Sequence, residues 1–66
     1  MLLTVNGAAR EVPDATTLPE LIELLGLQVG SVVVEHNGTA LLRSEVLSAM
    51  LSDGDVLELV RAVAGG

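Results

Sequence analysis

A chain of 66 residues with no cysteine, one histidine and a net charge of −6 reads as one small domain held by its own core. Without thiols it has no disulfide, no thiolate metal site and no thiol nucleophile, and His36 alone builds no metal centre. Nine acids against Arg10, Arg43 and Arg61, with no lysine, repel phosphate backbones. That balance argues against nucleic acid and favours protein partners with a basic face.

Half of the residues are hydrophobic and none is aromatic, so the core is built of Leu, Val, Ile, Met and Ala. Each Leu or Val contributes roughly 1.5–3 kcal/mol when fully buried. The start of the chain lacks the basic residues and long apolar run of a leader, and no stretch has the apolar length of a membrane span. The cytoplasm is the expected compartment.

Met1 to Val5 is an apolar run closed by Asn6-Gly7, a strong hairpin signal, with Ala8 to Val12 as the returning strand. Leu3 and Val5 share one face of that run, Leu2 and Thr4 the other. A helix follows, with Thr17 as its N-cap and Glu20 completing a capping box. Its apolar stripe is Leu18, Leu21, Ile22 and Leu25, and Gly26 ends it.

Ser31 to His36 reads as a third strand, closed by the turn Asn37-Gly38, with a short return over Thr39 to Leu41. Ser44 to about Leu51 predicts a short capped helix. Asp53-Gly54-Asp55 is a tight turn, and Val56 to Val63 is the last strand. There Leu57 and Leu59 share one side and Glu58 and Val60 the other. The order of hairpin, helix, strands, short helix and strand predicts an α+β layer of helix on mixed sheet. The expected boundaries are a domain over 1–63 and a tail over 64–66.

The last two residues, Gly65 and Gly66, carry the most chemical information. Standing last, they place an α-carboxylate on backbone without side chains, slim enough for a narrow channel and free in φ. Such a carboxyl, with a pKa of about 3.3–3.7, is ionised at neutral pH and can attack the α-phosphate of ATP. The bland alternative is a frayed end with two small residues.

The segments around the tail sharpen this. Asp53-Gly54-Asp55, the strand Val56-Leu57-Glu58-Leu59-Val60, and Arg61-Ala62-Val63 ahead of the diglycine closely resemble the end of the ThiS sulfur carriers of thiamine biosynthesis. Val34-Glu35-His36-Asn37-Gly38 with Arg43-Ser44-Glu45, and Thr17-Leu18-Pro19-Glu20-Leu21-Ile22, are similar to further segments of that family. The sequence departs from the family at Leu42, where proline is frequent, at Val46 and Leu47, where an aromatic is frequent, and at His36, a more often apolar place.

The resemblance implies a ubiquitin-like β-grasp fold, a mixed sheet with one main crossing helix and a short second helix. It further implies that Gly66 is adenylated by an E1-like, ThiF-like enzyme that uses ATP and magnesium. A sulfur donor such as a cysteine desulfurase then makes a thiocarboxylate, and a ThiG-like thiazole synthase takes the sulfur. Gly65 and Ala64 would thread the tail into the partner. The chain itself would bind no cofactor and hold no catalytic group.

For docking, the expected residues are Val33, Glu35, Glu58 and Val60, on the sheet face away from the helix, together with Arg61. An ordinary solvated face is the competing reading. Asp53 and Asp55 read as turn residues rather than ligands, and His36 as a structural or solvent-facing ring. Rival functions are the small subunit of molybdopterin synthase (MoaD-like), a tRNA-thiolation or protein-modifying carrier, and a β-grasp interaction module never activated at its end. The first usually has prolines shortly before the diglycine, absent from Arg61-Ala62-Val63-Ala64, and the lack of lysine argues against self-linked chains. A free-standing enzyme has no nucleophile–base pair or phosphate loop to rest on.

Overall fold

A computed structural model of the protein describes residues 1–62. Five strands form one mixed sheet: β1 (Leu2–Val5), β2 (Ala8–Glu11), β3 (Val32–His36), β4 (Thr39–Ala40) and β5 (Val56–Arg61). Two helices, α1 (Leu18–Leu24) and α2 (Arg43–Ser48), complete the fold. The spatial strand order is β2-β1-β5-β3-β4. β1 pairs antiparallel with β2 and parallel with β5, while β3 pairs antiparallel with both β5 and β4. The last strand in sequence thus lies at the centre of the sheet.

Local chemistry explains the elements. Both hairpins turn through Asn-Gly pairs, with φ of 50° at Asn6 and Asn37 and 82° and 85° at Gly7 and Gly38, the positive values a tight hairpin turn needs. In α1 the Thr17 hydroxyl accepts the Glu20 N–H at 3.2 Å, and the Glu20 carboxylate accepts the Thr17 N–H at 2.9 Å. Leu18, Leu21 and Ile22 of its stripe are buried and Leu25 packs half-buried beside them. They meet Leu3, Val5, Val34, Leu57 and Leu59 from the sheet, with Val12 and Val46 closing the ends of the core. The alternation expected in β1 and β5 is the one observed: Leu3, Val5, Leu57 and Leu59 face inward.

Several boundaries differ from expectation, β1, β2 and β4 each by one residue. Ser31 belongs to a 3-10 turn, Val29–Ser31, because its N–H closes onto Gln28 O at 2.9 Å, so β3 starts at Val32. The second helix begins at Arg43, one residue before Ser44, with Leu42 in extended conformation as its cap residue. Only half of a capping box forms there: the Glu45 carboxylate accepts the Leu42 N–H at 2.7 Å, and a leucine has no oxygen to return the bond. That helix ends at Ser48 because Ala49 is already extended, short of Leu51. β5 extends to Arg61, and Val63, with the expected boundary between 63 and 64, lies outside the described residues.

Candidate functional site

Gly66, Gly65 and Ala64, the residues expected to carry the chemistry, lie outside the described residues, so the described site is the approach to them. That approach is the C-terminal end of β5. The strand is paired along one side by β3, from Leu57 opposite His36 to Arg61 opposite Val32. Just past it, the Ala62 N–H donates to Ser31 O at 2.7 Å, so the chain is held against the 3-10 turn up to that residue.

Two grooves meet at Ala62. One is lined by Arg61 with Gly26, Leu27, Gln28, Ser31 and Val32, the other by Arg43 with Val29, Gly30, Leu41 and Val46. The Arg43 guanidinium donates to Gly30 O at 3.4 Å, a long bond that tethers α2 to the turn. Two of the three arginines of this acidic chain therefore flank the end of the central strand. The sequence signals Arg43 only through its place after the second hairpin.

The expected docking residues divide. Val33, Glu35, Glu58 and Val60 share the sheet face away from both helices, Val33 directly opposite Val60 and Glu35 directly opposite Glu58. Val33 and Val60 are 56% and 59% exposed, large values for aliphatic side chains. Arg61 does not join them. The two-residue period of β5 puts it on the side of Leu57 and Leu59, past the end of α1 in its groove. Leu2 and Val56, 49% and 44% exposed, belong to the same open face and were not expected there. The signal was available: Leu2 alternates with Leu3, and Val56 stands two residues before Glu58.

His36 and Asp55 are structural. The His36 ring Nε2 and the Asp55 carboxylate are hydrogen-bonded at 2.8 Å, the Asn37 amide donates to the other Asp55 oxygen at 3.1 Å, and the Ser52 N–H reaches the first at 2.8 Å. Burial pushes the Asp55 carboxyl upward, but the bonds from His36, Asn37 and Ser52 outweigh it and hold the carboxyl below its ordinary range. Asp53 accepts the Leu2 N–H at 2.6 Å, fixing the DGD turn against the start of β1. Among the described residues no group of three His, Cys, Asp or Glu side chains is arranged to hold a metal ion, and no helix is long and apolar enough to cross a membrane.

The architecture and its long central strand define the class: a small β-grasp domain that presents the end of its last strand between two arginine-lined grooves. The family is settled by comparison. The model of the ThiS family matches residues 3–66, nearly the whole sequence. The sulfur carrier protein ThiS of Thermus thermophilus is 37% identical over 65 residues, covering 98% of this chain and 100% of that one. The crystal structure of the thiamine biosynthesis protein ThiS from Geobacter metallireducens superposes with a TM-score of 0.80 at 36% identity, all of both chains being covered. A thiazole synthase from Paramagnetospirillum magneticum is 33% identical over 66 residues, which are all of this chain but 20% of that protein. The chain belongs to the ThiS family, the β-grasp sulfur carriers of thiamine biosynthesis.

Proposed function

We propose that this chain carries sulfur on Gly66 for formation of the thiazole ring of thiamine. An E1-like adenylating enzyme binds the domain, and the Gly66 carboxylate attacks the α-phosphate of ATP with magnesium, releasing pyrophosphate and leaving an acyl adenylate. The terminal sulfur of a desulfurase-derived persulfide attacks the activated carbonyl and expels AMP. A thiol then cleaves the sulfur–sulfur bond, leaving the thiocarboxylate on Gly66 and a disulfide on the donor. Thiazole synthase receives the sulfur. The carrier contributes a handle and a carboxyl group, and the partners contribute every catalytic group.

The observation that carries this reading is the family match, which runs through to Gly66 and so includes the diglycine. The similarity of the whole chain to a fifth of a thiazole synthase supports that enzyme as the acceptor. A bare diglycine backbone supports threading of the end, with Gly65 and Ala64 passing through a channel that larger side chains would block.

The test is a mass measurement. Incubated with the adenylating enzyme, ATP, magnesium, cysteine and a cysteine desulfurase, the protein should gain the mass of one sulfur in place of one oxygen, located on Gly66. An unchanged mass, under conditions that convert the Thermus thermophilus carrier, overturns the proposal. A residue added after Gly66 should abolish the conversion, whereas a mere docking module would be indifferent to it.

A further inference from the structure

Both hairpins turn on an Asn-Gly pair, and each asparagine reaches sideways to clamp the central strand β5. The Asn6 side chain holds both backbone groups of Leu59. The Asn37 side chain accepts the Val56 N–H at 2.8 Å and donates to an Asp55 carboxylate oxygen at 3.1 Å. The two clamps differ in how readily they open. Asn6 turns a hairpin paired over all four residues of each strand, and its bonds to Leu59 are partly shielded from water. Asn37 stands in an exposed turn whose return strand, β4, is two residues long and lies at the edge of the sheet. Short, exposed elements with few buried contacts open at the lowest free energy. Asn-Gly is also the dipeptide most prone to lose its side-chain amide, because glycine has no Cβ to shield its nitrogen. Beyond the turn itself nothing lies within 4 Å of where a Gly38 Cβ would stand, so the fold adds no shield there.

We infer that Asn37-Gly38 is a site of spontaneous deamidation in the folded protein, and that conversion there turns the clamp on β5 into a repulsive pair. Ring closure requires Asn37 to let go of Val56 and Asp55, so the step waits on local opening of the hairpin. The Gly38 nitrogen then attacks the Asn37 side-chain carbonyl carbon. A new C–N bond forms, the bond to Nδ2 breaks, and the Gly38 proton leaves with that nitrogen as ammonia. Water opens the resulting cyclic imide to aspartate, or to isoaspartate, in which the backbone runs through the side-chain carbons. Nothing is oxidised or reduced, and water is the single co-reactant. Aspartate sets a carboxylate where the amide stood 3.1 Å from Asp55, replacing a donated bond by repulsion between like charges. Isoaspartate also lengthens the turn and pulls Thr39 out of register with His36.

The experiment ages the purified protein at mildly alkaline pH and follows both asparagines by peptide mass mapping. In the folded protein Asn37 should convert severalfold faster than Asn6. In enough urea to unfold the chain, where the dipeptide alone decides, the two should convert at similar rates. At neutral pH Asn37→Asp, which reproduces the aspartate product, should melt below the parent. Asn37→Asp/Asp55→Asn exchanges carboxylate and amide and should recover part of that loss. The exchange suits the site because His36 and Ser52 bond one Asp55 oxygen and Asn37 the other. An amide nitrogen in the second place can donate to the new carboxylate. No conversion at Asn37 in the folded protein, equally fast conversion at Asn6, or the same preference for Asn37 in urea would each overturn the inference. So would a parent-like melt of Asn37→Asp, or no recovery in the exchanged pair.

Discussion

The His36 ring and the Asp55 carboxylate, 2.8 Å apart and both largely shielded from water, lock the second hairpin to the turn that feeds the central strand. Asn37 reinforces the lock from both sides, donating to Asp55 and accepting the Val56 N–H at 2.8 Å. Because the folded Asp55 carboxyl titrates below its ordinary 3.8, the unfolded chain takes up that proton first as pH falls. Its stabilisation is complete above 3.8 and is lost as pH drops through the folded value. Asp55→Asn should therefore cost about 1–3 kcal/mol at neutral pH and flatten the acid limb of the stability curve. Chemical denaturation from pH 7 down to acid checks it, and parallel acid limbs for parent and variant would refute the assignment.

Asn6 stands in for a stretch of strand. Its side-chain oxygen accepts the Leu59 N–H at 2.7 Å and its amide donates to Leu59 O at 3.2 Å, continuing the β1 edge along β5 after the backbone has turned away. Asn6→Gly keeps the positive φ of 50° accessible, so its loss isolates the side chain: about 1–3 kcal/mol. Asn6→Ala should lose roughly 1 kcal/mol more, through the cost of a left-handed alanine. Urea midpoints of the three proteins give the comparison, and equal midpoints for Asn6→Gly and the parent would show the bridge to be idle.

The two sides of β5 should answer oppositely to substitution. Leu57 is fully buried, and Leu57→Asp places a charge among α1 and β1 side chains, which should abolish cooperative unfolding. Glu58→Ala, one residue on, should fold normally. Thermal melts followed by circular dichroism separate the two. A folded Leu57→Asp would mean that the strand can reverse its faces.

Removing the α1 cap tests the smallest of these elements. Thr17→Ala deletes the hydroxyl that receives the Glu20 N–H and should cost about 0.5–2 kcal/mol. The Thr17 backbone N–H, and next its hydroxyl, hold the Glu20 carboxyl below its ordinary 4.5. The variant keeps the backbone bond and should give up only the hydroxyl's part of the dependence on pH near that value, and a parent-like acid profile would count against that part.

What the sequence disclosed follows from what is local. The α1 cap and stripe, both hairpin turns and the inward phase of Leu57 and Leu59 are fixed within a few residues of themselves, so pattern alone reveals them. The second helix was placed one residue late and about three residues too long, because Glu45 binds the N–H of Leu42 at its start and Ala49 is already extended at its end. The Asn6–Leu59 and His36–Asp55 bonds span 53 and 19 residues and exist only once the sheet has closed, so no window of sequence contains them. On the candidate site, the period of β5 gives away Glu58 and Val60, and the same period, applied one residue further, removes Arg61 from their face. Gly66 was singled out first by its bare terminal carboxyl and then by family likeness, and it lies outside the described residues.

The parallel pairing of β1 with β5, Thr4 beside Val56 and Val5 beside Leu57, has a mechanical corollary. Tension applied between the start of β1 and the end of β5 drags these neighbours lengthwise past each other. The bonds from Thr4 N–H to Asp55 O and from Asn6 N–H to Leu57 O, and the Asn6 clamp on Leu59, are then strained together instead of being peeled off singly. A partner hauling on the end of the last strand would meet a domain that holds its shape under load.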